Sequence, residues 1–120
     1  MLTLEELMHR ALANSANCDN TKNPLKPVFR IFQGKWKNQV LFEIIALNNA
    51  RFGQLSRAIP TITNTMLSST LRELEKDGLI TRTQFNEIPP HVEYSITKKG
   101  EGLLAVYYEM YKWSIKYNLE

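Results

Sequence analysis

The sequence predicts a mainly α domain carrying one small β-hairpin wing, an α+β fold of 120 residues. Three observations predict it. Apolar residues recur at helical spacing through most of the chain. Two short alternating runs, near Ile80 to Phe85 and His91 to Ile96, flank a proline-bearing tip, NEIPP. The segment before them, TITNTMLSSTLRELEKDGLI, starts with residues that resist helix formation and ends in strong helix formers before Gly78. The length suits one compact domain with a real core. A content of 43% hydrophobic and 22% charged residues is the balance of a globular chain rather than a disordered one.

Leu2, Leu4, Leu7, Met8, Ala11 and Leu12 place an amphipathic helix over residues 3–13, with Thr3 as N-cap and Glu6 completing a capping box. The polar stretch NSANCDNTKNP reads as a loop. Leu25 to Phe32 is a short helix with Val28, Ile31 and Phe32 inward, broken by Gly34. Trp36 to Leu47 is a stronger helix, its buried stripe made by Trp36, Val40, Leu41, Ile44, Ile45 and Leu47. NNA then turns the chain. Phe52, Leu55 and Ile59 mark a brief helix ended by Pro60. Thr63 to Asp77 follows as a helix with the core stripe Met66, Leu67, Leu71 and Leu74, preceded by Ile62. After the hairpin, Thr97 caps a last helix that runs to about Tyr117. This order of helices and hairpin is that of a winged helix-turn-helix. The expected organisation is a single domain: an N-terminal dimerisation helix and loop over 1–22, a DNA-binding core over 23–100, and a C-terminal dimerisation helix over 101–120.

Charge supports a polyanionic partner. The net charge is only +3, but from Lys22 to Arg72 eight Lys or Arg face one acid, Glu43. That segment is +7 and the rest of the chain −4. A helix-turn-helix sets its second helix in the major groove, with N-terminal residues at the base edges. Thr65, Ser69, Arg72 and Lys76 share the face opposite Leu71 and Leu74, with Thr63, Asn64 and Ser68 at the leading edge. Short hydroxyl and amide side chains permit close approach to a duplex and bond to phosphates or bases. The expected DNA contacts are therefore Thr63, Asn64, Thr65, Ser68, Ser69 and Arg72, the last on phosphate. Lys35, Lys37, Arg51 and Arg57 are expected to hold the backbone, with packing against the wing as the other role for Arg51.

GKWKNQVLFEI, then RFGQLSRAIPTITNTMLSSTLRELEKDGLITR, then IPPHVEYSITKKG resembles the HxlR-type winged-helix transcriptional regulators of bacteria. Gly34-Lys35-Trp36, Arg51-Phe52, Leu55, Ile62, Leu67, Leu71, Leu74, Gly78-Leu79, Pro89-Pro90, Val92-Glu93-Tyr94, Thr97 and Gly100 fill that family's pattern, over residues 23 to about 113. The resemblance implies a homodimeric DNA-binding regulator of nearby genes. Two departures stand out. Asn23-Pro24 occupies the place where many members carry a thiol-sensing Cys-Pro pair, and Cys18 lies five residues earlier. Only Lys22 stands close enough in sequence to lower its pKa, so Cys18 reads as an incidental free thiol. Thr65, Ser69 and Thr70 replace the Lys, Gln or Arg often found in the recognition helix, which points to a different operator.

In the last helix, Leu103, Val106, Met110, Trp113 and Tyr117 keep an a/d spacing, and Tyr107 adds to a wide apolar surface. With Leu4, Leu7 and Met8 of the first helix they form the expected dimer interface. The aromatic surplus there suggests a pocket for a small-molecule effector. Enzymatic function is not expected: His9 stands alone, His91 and Glu93 make only two ligands, and no nucleophile triad or phosphate loop is present. No cofactor, metal or membrane contact is expected. Glu5 and Glu6 argue against a signal peptide, so a cytoplasmic location follows. The predicted function is a repressor that binds a pseudo-palindromic operator as a homodimer. The alternative is a winged-helix module that binds protein.

Overall fold

The computed structural model describes residues 1–17 and 23–119, with side chains for 1–12 and 23–119; Cys18 and Lys22 lie outside the described residues. The chain divides into two units, Met1–Gln33 and Gly34–Glu120.

The first unit holds α1 (Leu4–Asn17) and α2 (Lys26–Phe32). Thr3 caps α1, its Oγ1 accepting from the Glu6 backbone N–H at 3.1 Å. The helix continues four residues past its expected end at residue 13. No Gly or Pro lies between Leu4 and Asn17, and weak helix formers alone do not stop a ladder already nucleated. Asn23 Oδ1 accepts from the Leu25 N–H at 3.0 Å ahead of α2, and Pro27 sits in its first turn. Val28 was expected inward but is exposed. A helix of two turns has room for one apolar ridge, and here Ile31 and Phe32 supply the partly covered side chains.

The second unit is a three-helix wedge closed by a hairpin and a long helix: α3 (Lys37–Leu47), α4 (Phe52–Ala58), α5 (Asn64–Lys76), β1 (Ile80–Phe85), β2 (His91–Ile96) and α6 (Lys98–Lys116). Val40, Leu41 and Ile44 of α3 meet Leu55, Ile59, Ile62, Leu67, Leu71 and Leu74 in a common core, floored by Leu79 and Ile80. Each such burial is worth about 1.5–3 kcal/mol, enough to hold even the seven-residue α4 in place. Leu47, expected in the core, is exposed, because α3 ends there on Asn48 in a left-handed conformation (φ 60°) that Asn tolerates. The NNA segment does more than turn. Ala50 is fully buried and bridges Tyr94: its N–H donates to Tyr94 O at 2.9 Å and its carbonyl accepts from Tyr94 N at 2.7 Å. Ser95 Oγ also donates to Asn49 Oδ1 at 2.6 Å.

The hairpin pairs Ile80 with Ile96 at its base and Phe85 with His91 at its far end. His91 is partly buried. Its ring stacks on Phe85 at 4.8 Å, and Glu87 and Glu93 carboxylates stand 4.0 and 3.9 Å from its two nitrogens.

The end of α5 gathers the second unit. Gly78 (φ +75°) stops the helix and lets Leu79 N–H reach back to Leu74 O at 3.0 Å. Thr97 Oγ1 donates to Gly78 O at 2.7 Å and Thr97 N–H to Leu79 O at 3.1 Å, while Lys99 Nζ donates to Asp77 O at 2.6 Å. The Asp77 carboxylate receives Lys37 Nζ at 2.6 Å. Thr97 also caps α6 by accepting from Gly100 N–H at 3.1 Å. Gly100 is buried so closely that an added Cβ would collide with the Leu79 carbonyl and the Ile96 side chain.

Beyond that junction α6 leaves the core. Leu103 and Tyr107 are half-buried, and past Tyr107 every residue but Ser114 is exposed through Leu119. Tyr107, expected in a dimer seam, also has partners within its own chain. Its hydroxyl donates to Asn38 Oδ1 of α3 at 2.8 Å, and its ring meets Phe42 edge-on at 6.2 Å. Burial there pushes its phenol up to about 12, so the group stays a neutral donor.

Gly100→Ala is expected to cost about 1–3 kcal/mol by overpacking, read as a lower Tm, whereas Gly102→Ala, with open space around it in the same helix, should hold or raise Tm by up to about 1 kcal/mol of stability. Lys37→Met should cost about 1–3 kcal/mol by leaving Asp77 unpaired; denaturant melts of Lys37→Met, Asp77→Asn and the double variant should show the two losses to be strongly non-additive.

Candidate nucleic-acid interface

The hydroxyl residues at the start of α5 divide into structural and free groups. Thr63 Oγ1 accepts from Met66 N–H at 3.1 Å, the N-cap bond that starts the helix. Thr70 is buried and its Oγ1 donates back to Met66 O at 2.7 Å, satisfying its hydroxyl within the helix. Met66, expected in the core stripe, is 43% exposed. It sits in the first turn, where Ile62 just before the cap supplies the buried apolar side chain, and Thr70 takes the place in the stripe one turn on.

Thr65 and Arg72 are exposed, and Ser68 and Ser69 are partly exposed. Asn64 is exposed, and Ser56 Oγ of α4 approaches its Oδ1 at 3.4 Å, a long contact that ties the two helices of the motif. Thr65, Arg72 and Lys76 thus point away from the core, with Ser69 partly covered between them. Toward the start of α5 the outward groups are short donors and acceptors on a helix whose N-terminal dipole is positive, with no acid in the first turn.

The basic residues do not all join this face. Lys37 is buried to 9% exposure and committed to Asp77, which corrects its expected role on a DNA backbone. The reason is geometric: the N-terminus of α3 lies against the C-terminal end of α5. That helix has 13 residues and is about 20 Å long, so the site's leading edge is at the other end. Lys35 is exposed two residues before Lys37, with its ammonium 4.7 Å over the Trp36 ring. It belongs to the same remote end. Arg51 at the N-cap of α4 and Arg57 in its last turn are both exposed. Arg51 does not pack on the wing through any described bond; its backbone N–H donates to Gln54 Oε1 at 2.8 Å to start α4.

Arg82 is a candidate that the sequence did not single out. Arg82 of β1 faces the recognition helix across a groove of about 350 Å³ that also takes in Ser68, Arg72, Glu75 and Tyr94. Two guanidinium groups at one groove form a candidate seat for a phosphate, with Glu75 as the acid at its rim. The alternation in ITRTQF placed Arg82 on a strand, but which face turns to α5 depends on a packing that sequence spacing does not encode.

At the wing tip, residues 86–90 are all exposed, with Ile88 at the apex. No group of three or more His, Cys, Asp or Glu among the described residues is placed to hold a metal. None of their helices is long and apolar enough to cross a membrane.

Comparison with known proteins identifies the family of the fold. The HxlR-like helix-turn-helix family pattern matches residues 31–120. The uncharacterized HTH-type transcriptional regulator YdzF of Bacillus subtilis (strain 168) is 39% identical over 98 residues, 82% of this chain and 90% of that protein. Among solved structures, the reduced form of the transcriptional regulator YodB from B. subtilis superposes with a TM-score of 0.70 at 30% identity, covering 75% of this chain and 87% of that one. The redox regulator HypR in its reduced form gives a TM-score of 0.71 at 35% identity, covering 78% and 91%. With its winged helix-turn-helix architecture and this match over three quarters of its length, the chain belongs to the HxlR-like helix-turn-helix family.

Proposed function

We propose that this protein is a DNA-binding transcriptional repressor that grips a pseudo-palindromic operator as a homodimer in the cytoplasm. The observation that carries the dimer is the bare far half of α6. Val106, Met110, Trp113 and Tyr117 are 40–58% exposed on one long helix, and Leu4 and Met8 of α1 are 73% and 58% exposed. An apolar area of that extent on a soluble chain marks a protein interface. Leu7 of α1 and Leu103 of α6 are each half-buried within their own surroundings, and Tyr107 also bonds within its own chain. In this reading residues 1–22 and 101–120 are dimerisation arms and 23–100 the reading head.

Thr65, Ser68, Ser69 and Asn64 would read or brace the major groove, and Arg72 with Arg82 would hold phosphate. Arg51 and Arg57 would steady the backbone beside α4. A dimer would present two such heads to half-sites about 34 Å apart on one duplex face. Such a clamp over a promoter excludes polymerase, and repression follows from occupancy alone. YodB and HypR are named for redox or quinone-linked states. Asn23-Pro24 in the position of the sensing pair separates this chain's signal from a thiol at that place.

Fluorescence anisotropy on fragments from upstream of its own gene tests the reading. Affinity should fall linearly with log salt, and Arg72→Ala or Arg82→Ala should each flatten the slope by about 1, the loss of one phosphate contact. A flat salt response with no fragment preference would instead favour a protein-binding module. Trp113→Lys should sediment as a monomer and lose about a hundredfold in operator affinity, because one-headed binding forfeits the second half-site.

A further inference from the structure

Between α3, the turn leading out of α4 and the start of α6 lies a cleft of about 430 Å³, lined by Asn38, Phe42, Glu43, Ile59, Pro60 and Tyr107. That volume is within the range of small-molecule sites, about 300–1,000 Å³. Its walls are mostly aromatic and aliphatic: Phe42 is 49% exposed, and the Tyr107 ring stands edge-on to it. Tyr107 cannot swing freely, because its hydroxyl is fixed on Asn38 at 2.8 Å. One charge lies at the cleft. Glu43 is the single acid between Lys22 and Arg72, a partly exposed residue whose carboxylate has no hydrogen bond or ion pair among the described residues.

A carboxylate without a cation, set at a cleft beside two aromatic rings, is the chemistry that selects an organic cation. The surrounding segment holds many Lys and Arg, yet none of the described ones neutralises Glu43. We propose that this cleft is a binding site for a small aromatic or amphiphilic organic monocation, its charged head on Glu43 and its body against Phe42, Ile59, Pro60 and the Tyr107 ring. The placement gives such a ligand leverage. Ile59 and Pro60 open the turn that leads to the Thr63 cap, with Ile62 N–H donating to Ile59 O at 3.1 Å, and Tyr107 belongs to α6. Ligand contacts would thus join the element that presents α5 to the one that carries the exposed apolar seam. The site itself stands apart from the DNA-binding reading, and its test needs no DNA.

The probes are benzamidine and its neutral near-isostere benzamide, titrated into the full-length 15N-labelled protein. Benzamidine should shift the amide signals of Gln39, Phe42, Glu43, Ala58 and Ile59 saturably and bind about tenfold tighter than benzamide, the difference a charge-assisted contact and a cation–π contact supply. Glu43→Gln, a surface change whose folding is checked by thermal melt, should bring the two probes to equal weak affinity. Ala58→Trp should block both by filling the cleft from its other wall. Three results would overturn the proposal: shifts that centre elsewhere on the protein, equal binding of the two probes to the unaltered chain, or a benzamidine preference that survives Glu43→Gln. Silence at these amides, as when a second copy already fills the cleft, would overturn it too.

Discussion

The second unit hangs on the last turn of α5. A helix end leaves carbonyls without partners inside the helix, and neighbouring groups can supply them. Here Lys99, Thr97 N–H and Thr97 Oγ1 satisfy the carbonyls of Asp77, Leu79 and Gly78, and Lys37 neutralises the Asp77 side chain. Four elements, α3, α5, β1 and α6, therefore meet at one polar knot rather than at a purely apolar seam. Hydrophobic contact between Leu41, Leu71 and Leu74 tolerates sliding, but hydrogen bonds of 2.6–3.1 Å do not. The knot sets the angle at which α5 projects, so the exposed face of Thr65 and Arg72 inherits its orientation from the opposite end of its own helix.

This arrangement explains why the recognition helix can begin with residues that resist helix formation. Each hydroxyl near the start has a separate employment. Thr63 caps, Thr70 bonds inward to Met66 O, and Thr65 remains outward. The modest propensity cost of a few tenths of a kcal/mol per residue is offset by the burial of Leu67, Leu71 and Leu74 behind them.

Much of this was legible in the sequence. Periodicity and punctuation gave every element, because caps and breakers act locally: Thr63, Thr97, Gly78 and the hairpin prolines each impose their geometry on immediate neighbours. What escaped depended on partners distant in the chain. Lys37 looked like another member of a basic segment until Asp77, forty residues on, claimed it. Tyr107 fitted a heptad seam but is drawn to Asn38, sixty-nine positions away. The Ala50 bridge to Tyr94 has no composition signal at all, since one residue is too short for any strand pattern. Arg82 lay in a strand whose facing could be settled only by the packing of the hairpin on α5. The outward face of α5 was readable because one helix carries all of it; the Arg72–Arg82 groove was not, because two elements share it.

The Ala50–Tyr94 bridge also makes the wing a cantilever. It clamps the hairpin at the level where Tyr94 pairs with Arg82, and the strands from Thr83 to Val92 run on past that fulcrum to the exposed tip at Ile88. Bending of a cantilever grows with distance from its fulcrum, so the tip can adjust to an irregular surface while the root, and with it the pitch of α5, stays still. The protein thereby separates compliance from aim, placing the first in the hairpin's outer half and the second in the helices beneath.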